Sequence, residues 1–203
     1  MKLYYAPGAC SLASHIALRE AGVPFELARL DWATYRTEDG EDLSQVNSKG
    51  YVPVLRLDDG QVLTENIAVL SYVASLNPGA KLAPAPGSLE AFRHLEWLAF
   101  ISTEVHKSFS PLFAAAATEE VKQFALANVT KRLAWLQGAF GSRTYLLGEQ
   151  FTAADCYLFT ILGWGAHVKV DIGQWPALKS YHGRIGARPA VLEALKTEGL
   201  LGH

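Results

Sequence analysis

The sequence of 203 residues predicts a mixed α/β domain followed by an all-helical domain. Strand patterns occur only in the first part of the chain, where helical patterns separate them. A segment rich in Pro, Gly and Ala follows at 78–88, and beyond it every periodic stretch has helical spacing. We therefore predict an N-terminal domain of 1–77, a linker of 78–88 and a helical domain of 89–203.

The first strand pattern is Lys2–Tyr5, which a Pro-Gly pair ends before a helical pattern begins. Gly22 and then Pro24 close this helix in the order that is common at helix C-termini. The alternating stretch Phe25–Leu30 follows as a second strand. These elements predict a βαβ unit with parallel strands and a right-handed crossover.

A hairpin is the strongest local signal in the chain. Val52–Leu57 and Gln61–Thr64 flank an Asp-Asp-Gly turn, which predicts two antiparallel strands. Glu65–Leu76 then has an apolar face at helical spacing. The predicted order of the first domain is therefore β-α-β and then β-β-α.

The second domain is predicted to contain only helices. The helical patterns are Leu89 to about Ala117, Glu119–Phe140, Ala153–Val170, Pro176–Ala187 and Ala190–Leu195. Pro111 should kink or interrupt the first of them because proline lacks the backbone donor. Thr152 and Asp155 have the spacing of a capping box at the start of the apolar third helix.

Composition excludes several classes of protein. The net charge of -2 gives no reason to expect binding to nucleic acid or to anionic lipid. The apolar stretch Cys156–Val170 is too short and too interrupted to span a bilayer, and no secretory signal opens the chain. With two cysteines, free thiols in a reducing compartment fit better than a disulfide framework, so we expect a cytoplasmic protein.

Cys10 is the first candidate for chemistry. It stands between a Pro-Gly turn and the first helix, where free N–H groups and the helix dipole favour a thiolate. The alternative is a small buried core residue. No second cysteine follows three residues later, so disulfide chemistry at Cys10 would need an outside thiol.

Two further positions could bind a ligand. The proline of Val52-Pro53 opens a strand, which suggests a cis bond that turns the Val52 backbone toward the site, although a trans proline remains an alternative. Glu65 and Asn66 begin a helix, where N–H groups could bind a carboxylate while Glu65 binds an ammonium group. An ordinary helix cap with an acidic first turn is the competing interpretation.

On the first helix of the second domain, Ala99, Thr103, His106 and Lys107 are spaced to share one face, which could look toward Cys10. A surface or core histidine is the competing interpretation for His106. The other histidines are His15, His94, His167, His182 and His203. None has metal-ligand spacing to another or to the cysteines, so no metal site is expected.

Five motifs, spread in order over both predicted domains, match one family. They are Ala6-Pro7-Gly8-Ala9-Cys10-Ser11-Leu12-Ala13, Lys49-Gly50-Tyr51-Val52-Pro53-Val54-Leu55, Leu63-Thr64-Glu65-Asn66-Ile67-Ala68, Thr103-Glu104-Val105-His106-Lys107 and Phe151-Thr152-Ala153-Ala154-Asp155. With them the chain resembles the beta-class glutathione S-transferases of bacteria. The resemblance implies a thioredoxin-like first domain, a homodimer, a role in detoxification, and glutathione as co-substrate without a metal.

The resemblance also implies a binding site for glutathione between the domains. The residues implied to bind glutathione are Cys10, Tyr51, Val52, Pro53, Glu65, Asn66, Thr103, Glu104, His106 and Lys107. The glutathione sulfur would lie beside Cys10 and His106, and its cysteinyl backbone would pair with Val52 next to a cis proline. The γ-glutamyl end would bind at Glu65 and Asn66, and Trp164 would face the electrophile.

Three positions depart from the pattern of the class. Tyr35 stands where members usually have a glutathione-binding lysine, Tyr51 replaces a common glutamine, and Ala99 replaces a common asparagine. Loss of a charged partner costs on the order of 1.5 to 3 kcal/mol, so glutathione would bind more weakly or depend more on Glu65, Asn66 and Lys107.

The first functional hypothesis is an enzyme that favours the thiolate of glutathione and lets it attack a small hydrophobic electrophile, with Cys10 and His106 stabilising the sulfur anion. The second is a glutathione-dependent thiol-disulfide transferase or peroxidase that uses a mixed disulfide at Cys10. A non-catalytic binder of hydrophobic ligands and an interaction module are further alternatives. The sequence does not predict the second substrate.

Overall fold

The computed structural model describes residues 1–201, which form two compact units. The first unit comprises Met1–Ala83 together with the described residues from Ala187 onward, and the second comprises Pro84–Gly186. The segment 78–88, predicted as a linker, spans the change from one unit to the other. The predicted domain limits themselves stay a prediction, and residues 202 and 203 lie outside the described residues.

Five strands form the sheet of the first unit. They are β1 (Lys2–Tyr5), β2 (Glu26–Asp31), β3 (Arg36–Thr37), β4 (Val54–Arg56) and β5 (Val62–Thr64). Their order is β3-β2-β1-β4-β5; β1 is parallel to β2, and the other neighbours are antiparallel. In the central strand Leu3 is opposite Leu27 on one side and Leu55 on the other. The predicted parallel βαβ unit and antiparallel hairpin are confirmed.

Helices make up most of the remaining structure. The α-helices are α1 (Ser11–Ala21), α2 (Leu43–Val46), α3 (Asn66–Leu76), α4 (Leu89–Phe100), α5 (Lys107–Phe113), α6 (Glu119–Phe140), α7 (Ala153–Gly163), α8 (Pro176–Gly186) and α9 (Pro189–Thr197). The mixed sheet with helices and the helical second unit confirm the predicted fold class.

Helix α1 is buried along most of its length and packs against α3 and α9. The predicted helical domain of 89–203 included α9, whereas this helix groups with the first unit. Val191 and Ala194 form its buried face. Periodicity identifies such a face, but it does not tell which neighbour the face will meet.

The polar stretch between β2 and β4 contains two short elements that the sequence pattern did not indicate. One is the two-residue strand β3, and the other is α2, whose first turn is capped by Asp42. The Asp42 carboxylate accepts the N–H of Ser44 at 2.9 Å. Leu43 of α2 packs with Tyr4 and Val54 in the core cluster on the sheet. Both elements are too short for a periodic signal.

The first predicted helix of the second unit is not one regular helix. Between α4 and α5, residues Ile101–His106 form a π-helix, whose turns are wider than those of an α-helix. Pro111 lies inside α5, which ends two residues later at Phe113 rather than near Ala117. The predicted helix from Leu89 is therefore interrupted, as expected, but it ends at Phe113 and is shorter than predicted.

Helix α7 ends at Gly163, earlier than the predicted Val170, and a 3₁₀ turn Trp164–His167 follows. The chain folds back here, because the carbonyl of Gly165 accepts the N–H of Val170 at 2.9 Å. A Cβ added to Gly165 would lie 2.5 Å from the Val170 carbonyl oxygen, so a side chain could not occupy this position without movement. This close approach between the backbone at Gly165 and at Val170 explains why α7 ends before the predicted residue.

The start of α7 confirms the predicted capping box. Asp155 accepts the N–H and the hydroxyl of Thr152 at 2.8 and 3.0 Å, and it also accepts the N–H of Leu146 and the hydroxyl of Tyr181. Burial raises the pKa of Asp155 to about 6, although these hydrogen bonds oppose the shift.

Among the described residues, no helix has the length and hydropathy needed to cross a membrane.

Candidate functional site

Cys10 directly precedes α1, as the sequence predicts. Its thiol donates to the carbonyl oxygen of Val52 at 3.4 Å, and its side chain is half-buried. The loop before it is held by Ser11, whose hydroxyl lies 3.2 Å from the N–H of Ala6 and accepts from it. The thiol thus lies between the first turn of α1 and the segment that leads into β4, an inner strand of the sheet, at a place where the helix dipole favours an anion.

The Val52-Pro53 peptide bond is cis, in agreement with the suggestion from the sequence. Val52 is buried in the same core cluster as Tyr4 and Val54. Ala9, in the loop Ala6–Cys10 that we call the Cys10 loop, packs against this cluster. The backbone of Val52 is therefore rigidly placed beside Cys10. Its carbonyl is the group that the thiol contacts.

Glu65 is the N-cap residue directly before α3 and has an unusual backbone conformation, with φ of 70°. One carboxylate oxygen accepts the Lys49 ammonium and the Tyr51 hydroxyl, both at 2.6 Å. The hydrogen bond to Glu65 is the main cause that raises the pKa of Lys49 and that of Tyr51. The predicted ammonium-binding carboxylate is therefore already paired with a cation of this chain, and Tyr51 contacts it through a hydroxyl.

Asn66 is buried and connects α3 to the Cys10 loop. Its side-chain amide donates to the carbonyl of Cys10 at 3.1 Å, and its amide oxygen accepts the hydroxyl of Ser14 at 2.8 Å. The side chain thus has internal partners at both ends. In the structure Asn66 fixes Cys10, and its predicted contact with a ligand stays a prediction.

In the second unit, the predicted residues lie around the π-helix. Thr103 donates its hydroxyl to the carbonyl of Ala99 at 3.0 Å. Glu104 forms an ion pair with Arg132 of α6. The predicted shared face was counted at α-helical spacing, so the wider turn changes the offset of the residues after Thr103. Both polar side chains are therefore engaged within the unit.

His106 is held on two sides. Its Nδ1 lies 2.7 Å from the hydroxyl of Tyr157, and its ring meets the Trp164 ring edge-on at 4.8 Å between centroids. Burial, helped by the charge of Lys107, lowers the pKa of His106 to about 4. The imidazole is therefore neutral at neutral pH and can donate from only one nitrogen at a time. The structure brings the predicted His106 and Trp164 together.

Trp164 belongs to an aromatic group on the second unit. Phe109 and Phe113 of α5 meet its ring edge-on, with centroids 6.1 and 5.5 Å away. Phe113 is 49% exposed, so part of this group faces solvent. The arrangement gives an apolar surface next to His106.

A cavity of about 830 Å³ lies elsewhere in the second unit. Its lining includes Trp97, Phe100 and Trp135, and it contains none of the predicted site residues. In residues 1–201, no group of three or more His, Cys, Asp or Glu side chains is arranged to hold a metal ion.

Sequence reasoning missed four residues that support the site. Lys49 pairs with Glu65, Ser14 holds Asn66, and Tyr157 holds His106. Glu198 accepts the N–H of Gly8 in the Cys10 loop at 2.9 Å. One signal was present in the sequence, because a tyrosine inside the apolar stretch of α7 needs a partner for its hydroxyl.

Family models for glutathione S-transferase match both parts of the chain. The N-terminal domain model matches residues 8–76, and the C-terminal domain model matches residues 100–189. The chain is 43% identical to glutathione S-transferase GstA of Escherichia coli O157:H7, over 98% of this chain and all of the relative.

Solved structures agree with this similarity. A ternary complex of BphK, a bacterial glutathione S-transferase, has a TM-score of 0.97 at 52% identity, and a sphingomonad glutathione S-transferase complexed with glutathione has 0.96 at 50%. In each case the match covers 98% of this chain and the full length of the other chain.

A third structure, the bacterial beta-class glutathione S-transferase of Sphingomonas chungbukensis, has a TM-score of 0.96 at 47% identity and covers 99% of this chain and all of its own. The predicted resemblance is therefore confirmed. The chain belongs to the glutathione S-transferase family, in its bacterial beta class, as an enzyme with glutathione as co-substrate.

Proposed function

We propose that this enzyme conjugates glutathione to small hydrophobic electrophiles. For an aryl halide, the thiol of glutathione loses its proton to water and its sulfur forms the new bond to carbon. The carbon-halogen bond breaks and the halide leaves with the bonding electron pair. The observation that carries the proposal is the placement of Cys10 at the start of α1, with its thiol 3.4 Å from the carbonyl of Val52.

Stabilisation of the sulfur anion is assigned to Cys10 and His106. Cys10 offers a thiol donor beside the first turn of α1, where N–H groups also favour an anion. His106, with its pKa lowered to about 4, acts as a neutral donor. When the Tyr157 hydroxyl donates to Nδ1, the remaining proton is on Nε2, which can then donate to sulfur. Tyr157 thus selects the useful tautomer.

The γ-glutamyl end of glutathione is assigned to Glu65 and to the N–H groups at the start of α3, in the region of Asn66. Lys49 and Tyr51 already contact the Glu65 carboxylate, so the substrate ammonium must share it or displace a partner. Glu65→Gln is expected to raise the KM for glutathione about tenfold, because a charged contact of about 1.4 kcal/mol is lost. An unchanged KM would remove Glu65 from the site.

Thr103, Glu104 and Lys107 complete the proposed glutathione site, and Trp164 forms the electrophile side. Lys107 has an exposed ammonium group that can attract a substrate carboxylate. The departures at Tyr35 and Ala99 are expected to weaken binding relative to other members of the class. Isothermal titration with glutathione measures this directly, and Tyr35→Lys should tighten binding.

Cys10→Ala separates conjugation from disulfide chemistry. If Cys10 stabilises the sulfur anion, the variant should lose about tenfold or more in kcat/KM for an aryl halide, since one charge-assisted hydrogen bond is removed. If conjugation survives while reduction of mixed disulfides disappears, Cys10 is a redox residue rather than the stabiliser of the sulfur anion. Cys156→Ala is the control, because that thiol is fully buried.

We further infer a cytoplasmic homodimer that acts in detoxification. Both cysteines are free thiols, in keeping with a reducing compartment. Leu89 and Phe92 on α4 are 61% and 63% exposed, which supports an interface on this helix. Analytical ultracentrifugation should then give twice the mass of one chain.

A non-catalytic binder of apolar ligands is the alternative to the enzyme. It would be favoured by the absence of turnover with aryl halides, epoxides, hydroperoxides and disulfides, together with tight binding of apolar ligands.

A further inference from the structure

The segment that follows α9 reaches the loop that carries Cys10. Glu198 directly follows α9 as its C-cap residue. Gly199, with φ of 72°, then turns the chain so that Leu200 packs against Gly8. A Cβ added to Gly8 would lie 3.5 Å from a methyl group of Leu200. The residues that follow α9 therefore form one wall of the Cys10 loop.

Both carboxylate oxygens of Glu198 have partners, although its side chain has no solvent exposure. One oxygen accepts the backbone N–H of Gly8 at 2.9 Å, and the other lies 2.9 Å from Nδ1 of His15. Arg19 donates to Nε2 of His15 at 2.9 Å, so the proton of this imidazole must be on Nδ1 and is donated to Glu198. A chain of hydrogen bonds thus runs from Arg19 to Gly8.

Gly8 is the position at which the Cys10 loop needs an outside acceptor. The N–H of Ala9 donates to the carbonyl of Ala6, which closes a four-residue turn with Pro7 second and Gly8 third. The φ of Gly8 is 71°, as a type II turn requires at its third position. In such a turn the N–H of the third residue points away from the turn, so it needs an acceptor elsewhere.

Glu198 also opposes the alternative form of this turn. Rotation of the Pro7-Gly8 peptide would convert type II toward type I and would direct the Pro7 carbonyl at the carboxylate. Two negative oxygens would then meet in a buried place, which is unfavourable. Apolar contacts alone could attach α9 to α1, so a buried carboxylate is a costly choice unless its hydrogen bonds select a conformation.

We propose that Glu198 is a positioning residue for Cys10. Its carboxylate holds the turn at Gly8 and thereby keeps the Cys10 thiol beside Val52 and the first turn of α1. The inference rests on the proposed role of Cys10, and it assigns to the end of the chain a part in setting the reactive thiol. Glu198 acts through the backbone and touches no substrate.

The test follows the reactivity of Cys10 rather than turnover. Alkylation by iodoacetamide, read by mass spectrometry as a function of pH, reports the thiolate of Cys10, since Cys156 is fully buried. Besides His15 and Arg19, Tyr5 is influenced by Glu198, and Tyr51 by Cys10. Both tyrosines have a pKa raised above 10.0, so neither titrates where a thiol does.

Glu198→Gln should raise the pH at the midpoint of Cys10 alkylation by about half a unit or more. If the loop is released, the Cys10 sulfur moves away from the N-terminus of α1, which stabilises its thiolate. Glu198→Asp keeps the charge but is one methylene too short to reach both partners, and it should shift the midpoint in the same direction. A lowered midpoint in Glu198→Gln would mean that only the charge matters, and an unchanged midpoint in both variants would mean a purely structural residue. Either result overturns the proposal.

Val191→Ala is the matched control for helix packing, since Val191 is fully buried on α9. It should lower the melting temperature as much as Glu198→Gln and leave the alkylation curve unchanged. An equal shift of the curve in this control would overturn the assignment to the carboxylate. If the unmodified enzyme conjugates no electrophile, the proposed function fails, whereas the alkylation curves still decide the role of Glu198.

Discussion

The Cys10 loop and the surroundings of His106 hold their reactive groups in different ways. Cys10 is fixed by a hydrogen bond from its thiol to the carbonyl of Val52 and by one from the Asn66 amide to its own carbonyl. It lies at the start of a helix, where a sulfur anion is stabilised. His106 is fixed by aromatic rings and one tyrosine, and burial keeps it neutral. One region stabilises a charge and the other prevents one, so changes to them should have different signatures.

The largest effect on stability is expected at Asp155, at the start of the helix that contacts His106. Asp155→Ala removes a buried carboxylate that organises the start of α7, the helix that carries Tyr157. The free energy of unfolding should fall by about 3 to 5 kcal/mol, because several buried donors lose their acceptor. Urea unfolding measures it.

Asp171→Ala is the control for this prediction. Asp171 accepts the N–H of Gly173 in an exposed turn, so its loss should cost only about 1 kcal/mol. If both variants lose the same stability, burial is not what makes Asp155 important.

Tyr157→Phe should lower kcat/KM about tenfold, because Nδ1 of His106 loses its partner and the tautomer is no longer selected. The alkylation of Cys10 should stay as in the unmodified enzyme. Tyr72→Phe, on α3 of the first unit, is the control for loss of a hydroxyl. Full activity in Tyr157→Phe would contradict the proposed tautomer.

Acid should destabilise the protein through two histidines whose pKa is lowered by desolvation. His94 and His106 have a pKa lowered to about 4 in the folded protein, so the unfolded chain binds protons that the folded one does not as the pH falls below 6.5. Asp155, with its pKa raised to about 6, acts in the opposite direction over the same range.

The two histidines outweigh the one carboxylate, so the free energy of unfolding should decrease by about 2 kcal/mol between pH 6.5 and pH 5. Burial also lowers the pKa of His182, which acts in the same direction. Urea titrations at these two values give the number. His106→Asn should reduce the slope, because one histidine with a lowered pKa is removed. A slope that is the same in His106→Asn would mean that His106 is not buried as a neutral group.

The smallest effect is expected at the exposed pair of the first unit. Lys49 and Glu65 are 46% and 54% exposed, so Lys49→Gln should change the free energy of unfolding by no more than about 0.5 kcal/mol. Thermal unfolding at low and high salt checks this. A loss well above that value would mean that the pair supports the conformation of Glu65, whose φ of 70° is unusual.

The parts of the site that could be predicted are those encoded locally. The strand, turn and helix around Cys10 follow one another within a few residues, and the capping box of Thr152 and Asp155 lies within one turn. The hairpin turn at Gly60 is equally local. Short-range chemistry therefore gave the correct positions of these groups.

The contacts that the sequence did not predict are distant along the chain. Glu198 reaches Gly8 from 190 residues away, and Tyr157 reaches His106 from 51 residues away. Periodicity marks Tyr157 and α9 as buried, but it does not identify the partner of a buried group. The environment of His106, and so its low pKa, required the packed structure.

The thiol of bound glutathione gives the most direct test of the central claim, that this enzyme favours the glutathione thiolate. The measurement is the ultraviolet difference spectrum between enzyme with and without glutathione, followed against pH. The account predicts a thiolate midpoint at least about one unit below the usual thiol pKa of about 8.5, and a midpoint closer to that value in His106→Asn. A bound thiol that titrates like free glutathione would contradict it.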